Sequence, residues 1–262
     1  MTNAPEPHPA SCLNCGTPVT DKFCPHCGQK TQPTRLPLRM FLGEAIATFL
    51  NLDGLWWRTL RDLFRHPGKL TRDYNDGKRA AYVPPLRLYL SISVIYFFTV
   101  SLIGQNRVMF ISFGVDDGNT GAVFGLVQYL MFFLVPAFAA ILHLLHRKRN
   151  GFYVEYLVMA VHLHSVWFVL FWLRLIIDWL IGPAPIEPGS IRQIIDGAAS
   201  FISEVLPLVY VVASLRGMVG ASWVMTIIKG FAAMFLHLLI MGGTVALYMF
   251  LRGITSVQVT AG

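Results

Sequence analysis

Apolar residues form blocks long enough to cross a bilayer only after residue 85. Five such blocks stand out, at 86–104 (LRLYLSISVIYFFTVSLIG), 122–145, 154–181, 198–216 and 227–251. Each is near or above the roughly 20 residues that a spanning helix needs. Gly, Pro, Asn and Asp punctuate the intervals 105–121, 146–153, 182–197 and 217–226, as turns at a membrane surface do. Upstream of residue 85 the pattern becomes amphipathic. Leu38, Phe41, Leu42, Ala45, Ile46, Phe49 and Leu50 recur at helical spacing. From Asp53 a second stretch sets Trp56, Leu60, Leu63 and Phe64 against Arg58, Arg61 and Arg65, the signature of an interfacial helix. Pro67 and Gly68 end that helix, a short one is predicted over Lys69–Asn75, and Pro84 with Pro85 set the entrance to the first span.

The pattern predicts an all-α multi-pass membrane protein with about five transmembrane helices. Its parts are a leader (1–11) expected to be disordered, a small cysteine-bearing module (12–30), an amphipathic collar (35–85), a transmembrane bundle (86–251) and a short tail (252–262). Composition agrees: 55% of residues are hydrophobic and 13% charged, outside the range of soluble domains. MTNAPEPHPA lacks the basic and apolar regions of a signal peptide.

The net charge of +7 changes the picture through its placement. With the N-terminus inside, 17 of the 21 Lys and Arg fall on the inner side. Arg107, Arg192 and Arg252 fall outside, and Arg174 lies in a span. Positively charged segments stay cytoplasmic, so the expected topology is N-in and C-out, in the inner membrane if the source is bacterial. Topology and attraction to anionic lipid account for the basic excess, and nucleic acid is not an expected partner.

All four cysteines lie in CLNCGTPVTDKFCPHCG, as two CxxCG units: Cys12, Cys15, Cys24 and Cys27. Paired CxxC units in a reducing compartment favour metal over disulfide. Each glycine suits the tight turn after the second thiolate of a knuckle. Four thiolates close a tetrahedral shell and leave no position for water, so one structural Zn2+ is expected, with iron in the same S4 geometry as the alternative.

The segment resembles the short zinc-ribbon modules that head many bacterial proteins. Behind it stand Thr59, Leu63-Phe64, Pro67-Gly68, Tyr74, Gly77-Lys78-Arg79, Tyr82, Pro85 and Tyr89-Leu90. Over roughly the first hundred residues the chain is similar to a bacterial family of uncharacterised zinc-ribbon membrane proteins, classified only as a domain of unknown function. The resemblance implies a ribbon plus a membrane domain and supplies no activity. Arg58, Arg61, Arg65, Lys78 and Arg79 are candidate contacts for lipid phosphate, with Lys78 and Arg79 read first as positive-inside anchors flanking the first span.

Ionisable residues inside spans cost about 2.5–3.5 kcal/mol each at the bilayer centre on insertion scales, which singles out His162, His164, Arg174, Asp178, Glu204 and His237. The histidines suit a metal, haem or proton-relay cluster, or helix packing. His162 and His164 point about 200° apart on a helix and cannot share one metal, and haem is not expected. Arg174 is placed to bridge Asp178 and Glu204, as a structural ion pair or a transport gate.

No HExxH, GxSxG, phosphate loop or dinucleotide fingerprint occurs, and no enzyme activity is expected. The leading expectation is a membrane scaffold or adaptor whose cytosolic ribbon docks a protein partner. Membrane lipids and a second copy of the chain are further candidate partners. The alternative is a small-solute or ion permease using Arg174, Glu204 and the histidines.

Overall fold

The computed structural model describes residues 11–31, 54–103, 120–149, 151–182 and 187–251. The leader, the amphipathic stretch 38–50, most of the loop 105–121 and the tail lie outside the described residues. Helices dominate, and no strand occurs among the described residues.

The collar contributes α1 (Gly54–Arg65) and α2 (Lys69–Asn75). Pro67 cannot continue α1, and Gly68, at φ 79°, turns the chain into α2. The bundle follows with α3 (Pro85–Ile103), α4 (Thr120–Leu145), α5 (Tyr153–Ile181), α6 (Ile191–Ser200), α7 (Leu206–Val219) and α8 (Trp223–Leu251). A π-helical turn, Phe201–Val205, joins α6 to α7 one residue before Pro207 reaches the top of α7.

Among the described residues, four stretches are long and apolar enough to cross a membrane: Pro85–Ile103, Tyr153–Ile181, Ile191–Val219 and Trp223–Leu251. α4 contributes a further apolar helical stretch, Tyr129–Leu145. The third expected span begins at Tyr153, one residue from its predicted start. The fourth begins at Ile191 where the apolar block starts at 198, because IRQIIDGAAS is helical too, capped by the Ser190 hydroxyl, which accepts from the Gln193 N–H.

Burial ranks the helices. The most apolar window of α5 is 78% buried and that of α8 only 28%, so α5 is the central post and α8 faces outward. α5 packs along α3 and α4, and α8 packs on α4 and α7. Large apolar side chains stay exposed on the outward faces, among them Phe98 and Leu102 on α3 and Phe231, Phe235 and Phe250 on α8. Such a surface would drive association in water and suits lipid contact.

The collar is seated in the bundle rather than laid over it. Leu70, Thr71, Asp73 and Tyr74 of α2 are buried, against α5 and α7. Thr71 Oγ1 shares a hydrogen bond with His162 Nδ1 at 2.9 Å, the Tyr210 hydroxyl donates to Leu63 O, and Arg72 donates to Gly217 O. At the centre of this seat Pro67-Gly68 meets Gly217 with backbone against backbone.

Candidate metal cluster, its collar dock and intramembrane polar groups

The two CxxCG units fold alike. Cys12 N–H donates to Thr17 O and Gly16 N–H to Cys12 O; Cys24 N–H donates to Gln29 O and Gly28 N–H to Cys24 O, all at 2.8–2.9 Å. Gly16 and Gly28 take φ of 77° and 69°, a region open to glycine at no steric cost. An isolated antiparallel bridge closes each unit, Ser11 with Pro18 and Phe23 with Lys30.

These turns bring the four sulfurs within 4.8 Å of one another, with Cys12 to Cys27 at 3.6 Å and Cys15 to Cys24 at 3.5 Å. Thiolates about 2.3 Å from a common tetrahedral ion would stand about 3.8 Å apart. The set can therefore bind a metal ion without rearranging the chain. The Thr17 hydroxyl and N–H pull the Cys15 thiol down to about 5, while burial pushes Cys12 up to about 11.

Gln29 fastens the module to the collar. Gln29 Nε2 donates to Gly77 O at 2.7 Å, and Gln29 Oε1 accepts from the N–H groups of Arg79 and Ala80, both at 3.0 Å. Leu13 lies against Gly77 so closely that a Cβ there would stand 2.5 Å from its Cδ1. The Gly77-Lys78-Arg79 turn is therefore a receptor for the cysteine module, and Gly77 leaves room for it.

Below this dock lies an ion network. Lys69 Nζ donates to Asp73 Oδ2 at 2.8 Å and to the Tyr82 hydroxyl, and stands 3.6 Å from Asp62 Oδ2. Lys78 Nζ donates to Asp73 Oδ1 at 3.0 Å. The Tyr82 hydroxyl lies 3.1 Å from Asp62 Oδ2 and 3.2 Å from Asp73 Oδ2. Thr59 Oγ1 accepts from Val83 N–H at 3.0 Å and so ties α1 to the same stretch. Burial works against charge at Asp73, but hydrogen bonds from Lys69 and Lys78 outweigh it and hold its pKa below the ordinary 3.8. Asp62 is also lowered: burial opposes, and Tyr82 and Lys69 prevail. For Lys69 burial is again overcome, by Asp73 and Tyr82, and its pKa rises.

The carboxylates stabilise the fold above their unfolded values and lose that contribution as pH falls through their folded ones. Lys69 contributes below its ordinary 10.5 and loses that contribution as pH rises through its folded value. The collar should hold full stability from about pH 5 to about pH 10 and weaken in acid. Asp73→Asn should cost about 1–2 kcal/mol at pH 7, less than a fully buried pair because both lysines are part-exposed. Thermal midpoints from pH 3 to 7 check this: the gap between wild type and variant should shrink on acidification, and a constant gap would refute the network.

The basic residues singled out above thus differ in role. Lys78 is paired to Asp73, Arg79 lies over the Tyr74 ring at 5.3 Å, and Arg58 over the Tyr82 ring at 5.4 Å. Arg61 touches Asp62 through Nε only, at 3.4 Å, and is 58% exposed.

Within the bundle, Arg174 is part-buried. It pairs with Asp178 and Asp196, each at 2.8 Å, and donates to Ser200 Oγ at 2.7 Å. The expected partner Glu204 is exposed in the π-helical turn. Asp196 takes its place because α6 starts early enough to set Asp196 and Ser200 one turn apart on the face toward α5.

His162 and His164 face opposite ways, as their spacing requires. His162 meets Thr71 of the collar, and His164 rather than His162 is the neighbour of His237. The rings of His164, His237 and Trp167 lie 4.5–5.4 Å apart around Phe138. His164 Nδ1 donates to Ala160 O at 2.8 Å, so its Nε2 is an acceptor. That atom, His237 Nδ1 and Trp167 Nε1 are buried without a hydrogen-bond partner among the described residues.

The network residues Asp62 and Lys69, the histidine seat Thr71 and the clamp Gln29 were missed as site residues in the sequence, and Tyr82 was read only as part of the family pattern and as an interfacial residue. Only Lys69 and Asp73 carried a signal, their i, i+4 spacing. No curated protein and no solved structure matches the chain. A family model does match residues 53–97, which span α1, α2, the ion network and most of α3. The family whose model matches there is described as a protein of unknown function (DUF3667), and the match is confined to that stretch.

Proposed function

We propose that the chain is a membrane-anchored adaptor whose four-cysteine module captures a cytosolic protein. The observation that carries this reading is Phe23. It is 57% exposed on a module that Gln29 holds against the collar, and an exposed aromatic on a rigid support is the usual anchor of a protein interface. The closed set of four thiolates favours zinc, with iron as the alternative. The segment then acts as a zinc ribbon. Counting α4 as a fifth crossing, the charge distribution puts the N-terminus inside and the C-terminus outside, and the family resemblance points to a bacterial inner membrane. Phe23→Ala should reduce partner capture on crosslinking at least tenfold while leaving metal content and membrane insertion unchanged. Undiminished capture would sink the docking role of this face.

A permease is the second reading, favoured by the three buried polar atoms of His164, His237 and Trp167, since unpaired polar groups in a membrane mark ion or solute paths more often than lipid-facing surface. It requires flux in liposomes that His237→Leu or Arg174→Gln removes. Flux unaltered by both variants, or none at all, counts against it.

A further inference from the structure

We propose that the groove between α1 and the helices α3 and α5 is a binding site for an anionic phospholipid, with one acyl chain in the groove and the phosphate on Arg61 and Arg65. The groove has a volume of about 550 Å³, within the roughly 300–1,000 Å³ of small-ligand sites. Its walls are Trp57 and Phe64 from α1, Ile95 and Tyr96 from α3, and Phe168 and Trp172 from α5. Two charged side chains also line it, Arg61 and Arg65.

Three observations select this occupant. First, the walls belong to helices whose outer faces carry exposed apolar residues, Ile95 and Phe98 on α3 among them, so the groove opens where acyl chains are the surrounding solvent. Tyr96 is eleven residues into α3, roughly 16 Å from its start, which gives a chain length to lie against. Second, the two arginines stand one turn apart on the α1 face that bears Trp57 and Phe64. The neighbouring Asp62 accepts from Tyr82, three residues before Pro85, which places the guanidinium groups where the chain enters the bilayer. Third, their donors are available. Arg61 gives only Nε to Asp62, and Arg65 has no side-chain hydrogen bond among the described residues. The competing carboxylate is committed, since Asp62 faces Lys69 and Tyr82. Two guanidinium forks over an apolar slot complement a phosphodiester with a tail, and a zwitterionic headgroup brings its own cation against them.

The site is independent of the adaptor reading. It is tested on the full-length protein by native mass spectrometry, with phosphatidylglycerol and phosphatidylcholine of identical acyl chains supplied in equal amounts. Wild type should retain phosphatidylglycerol in preference to phosphatidylcholine. Arg61→Gln/Arg65→Gln should lower its retention on the order of tenfold, to the phosphatidylcholine level. Ile95→Trp, which fills the groove and leaves the charges alone, should remove both lipids. Equal retention of the two lipids, indifference to the arginine pair, retention by Ile95→Trp, or a groove covered by a second copy in a lipid-free dimer would each overturn the proposal. A second measurement does not depend on the Ile95 variant folding. Phosphatidylglycerol with brominated acyl chains should quench tryptophan fluorescence more than its phosphatidylcholine counterpart, and Trp57→Phe/Trp172→Phe should abolish the excess; no excess in wild type contradicts the site.

Discussion

Gly217→Ala is expected to unseat the collar from α7 and cost more than about 3 kcal/mol, enough to deplete the folded protein from membranes. A Cβ at Gly217 would stand 2.0 Å from Pro67 O and 3.3 Å from Gly68 Cα. Both atoms are backbone, so no side-chain rotation relieves the overlap. The opposite face of the contact is equally closed: a Cβ on Gly68 would stand 2.3 Å from Ser214 O and 2.9 Å from Met218 N. Gly68→Ala adds the cost of φ +79°, of order 1–3 kcal/mol for a residue with a side chain. Movement of the loop would pull on the Tyr210–Leu63 and Arg72–Gly217 bonds at once. Gly242→Ala in α8 is the control, because nothing lies within 4 Å of a Cβ there, and its effect should stay within about 0.5 kcal/mol. Thermal midpoints in detergent separate the three variants, and a Gly217→Ala midpoint close to that of Gly242→Ala would refute the seat.

Removing the metal, by chelation or by Cys24→Ser, should unfold residues 11–31 as a unit. So small a module has little core of its own, and metal binding supplies apparent free energies of about 10–16 kcal/mol in zinc-finger peptides. The membrane bundle should be almost untouched, within about 1 kcal/mol, since the two parts meet through the Gln29 clamp and the Leu13–Gly77 contact. Hydrogen exchange gives the local signature. The N–H groups of Arg79 and Ala80 lose their acceptor and should exchange faster, while the protection of α5 stays unchanged. A module that resists proteolysis without metal would contradict this account.

What could be read in the chain divides by range. The knuckles were legible because CxxCG is local chemistry, and Gly16 and Gly28 adopt the positive φ that the spacing demands. The break at Pro67-Gly68, the helix Lys69–Asn75 and the first and third spans were legible from proline geometry and apolar run length. The helix Ile191–Ser200 ahead of the fourth apolar block was not, because Arg192, Gln193 and Asp196 made a helical stretch look like a loop. Reading it as a loop also hid Asp196 from Arg174. The long pairings left no local trace: Gln29 with Gly77, Thr71 with His162, and Gly68 with Gly217 are set by tertiary packing. The collar looked interfacial from its amphipathic face, yet α2 buries both Thr71 and Asp73, because hydrogen bonds to the bundle satisfy one and lysines the other.

In the proposed adaptor a metal-held module, fixed to a membrane collar, presents Phe23 to a protein partner. This role is tested most directly by placing a photo-crosslinking side chain at Lys22, beside Phe23, in the full-length protein in cells. One discrete protein adduct is expected, disappearing with Phe23→Ala and with Cys24→Ser and persisting with Arg174→Gln. No adduct at Lys22, or an adduct that survives loss of the metal cluster, would contradict it.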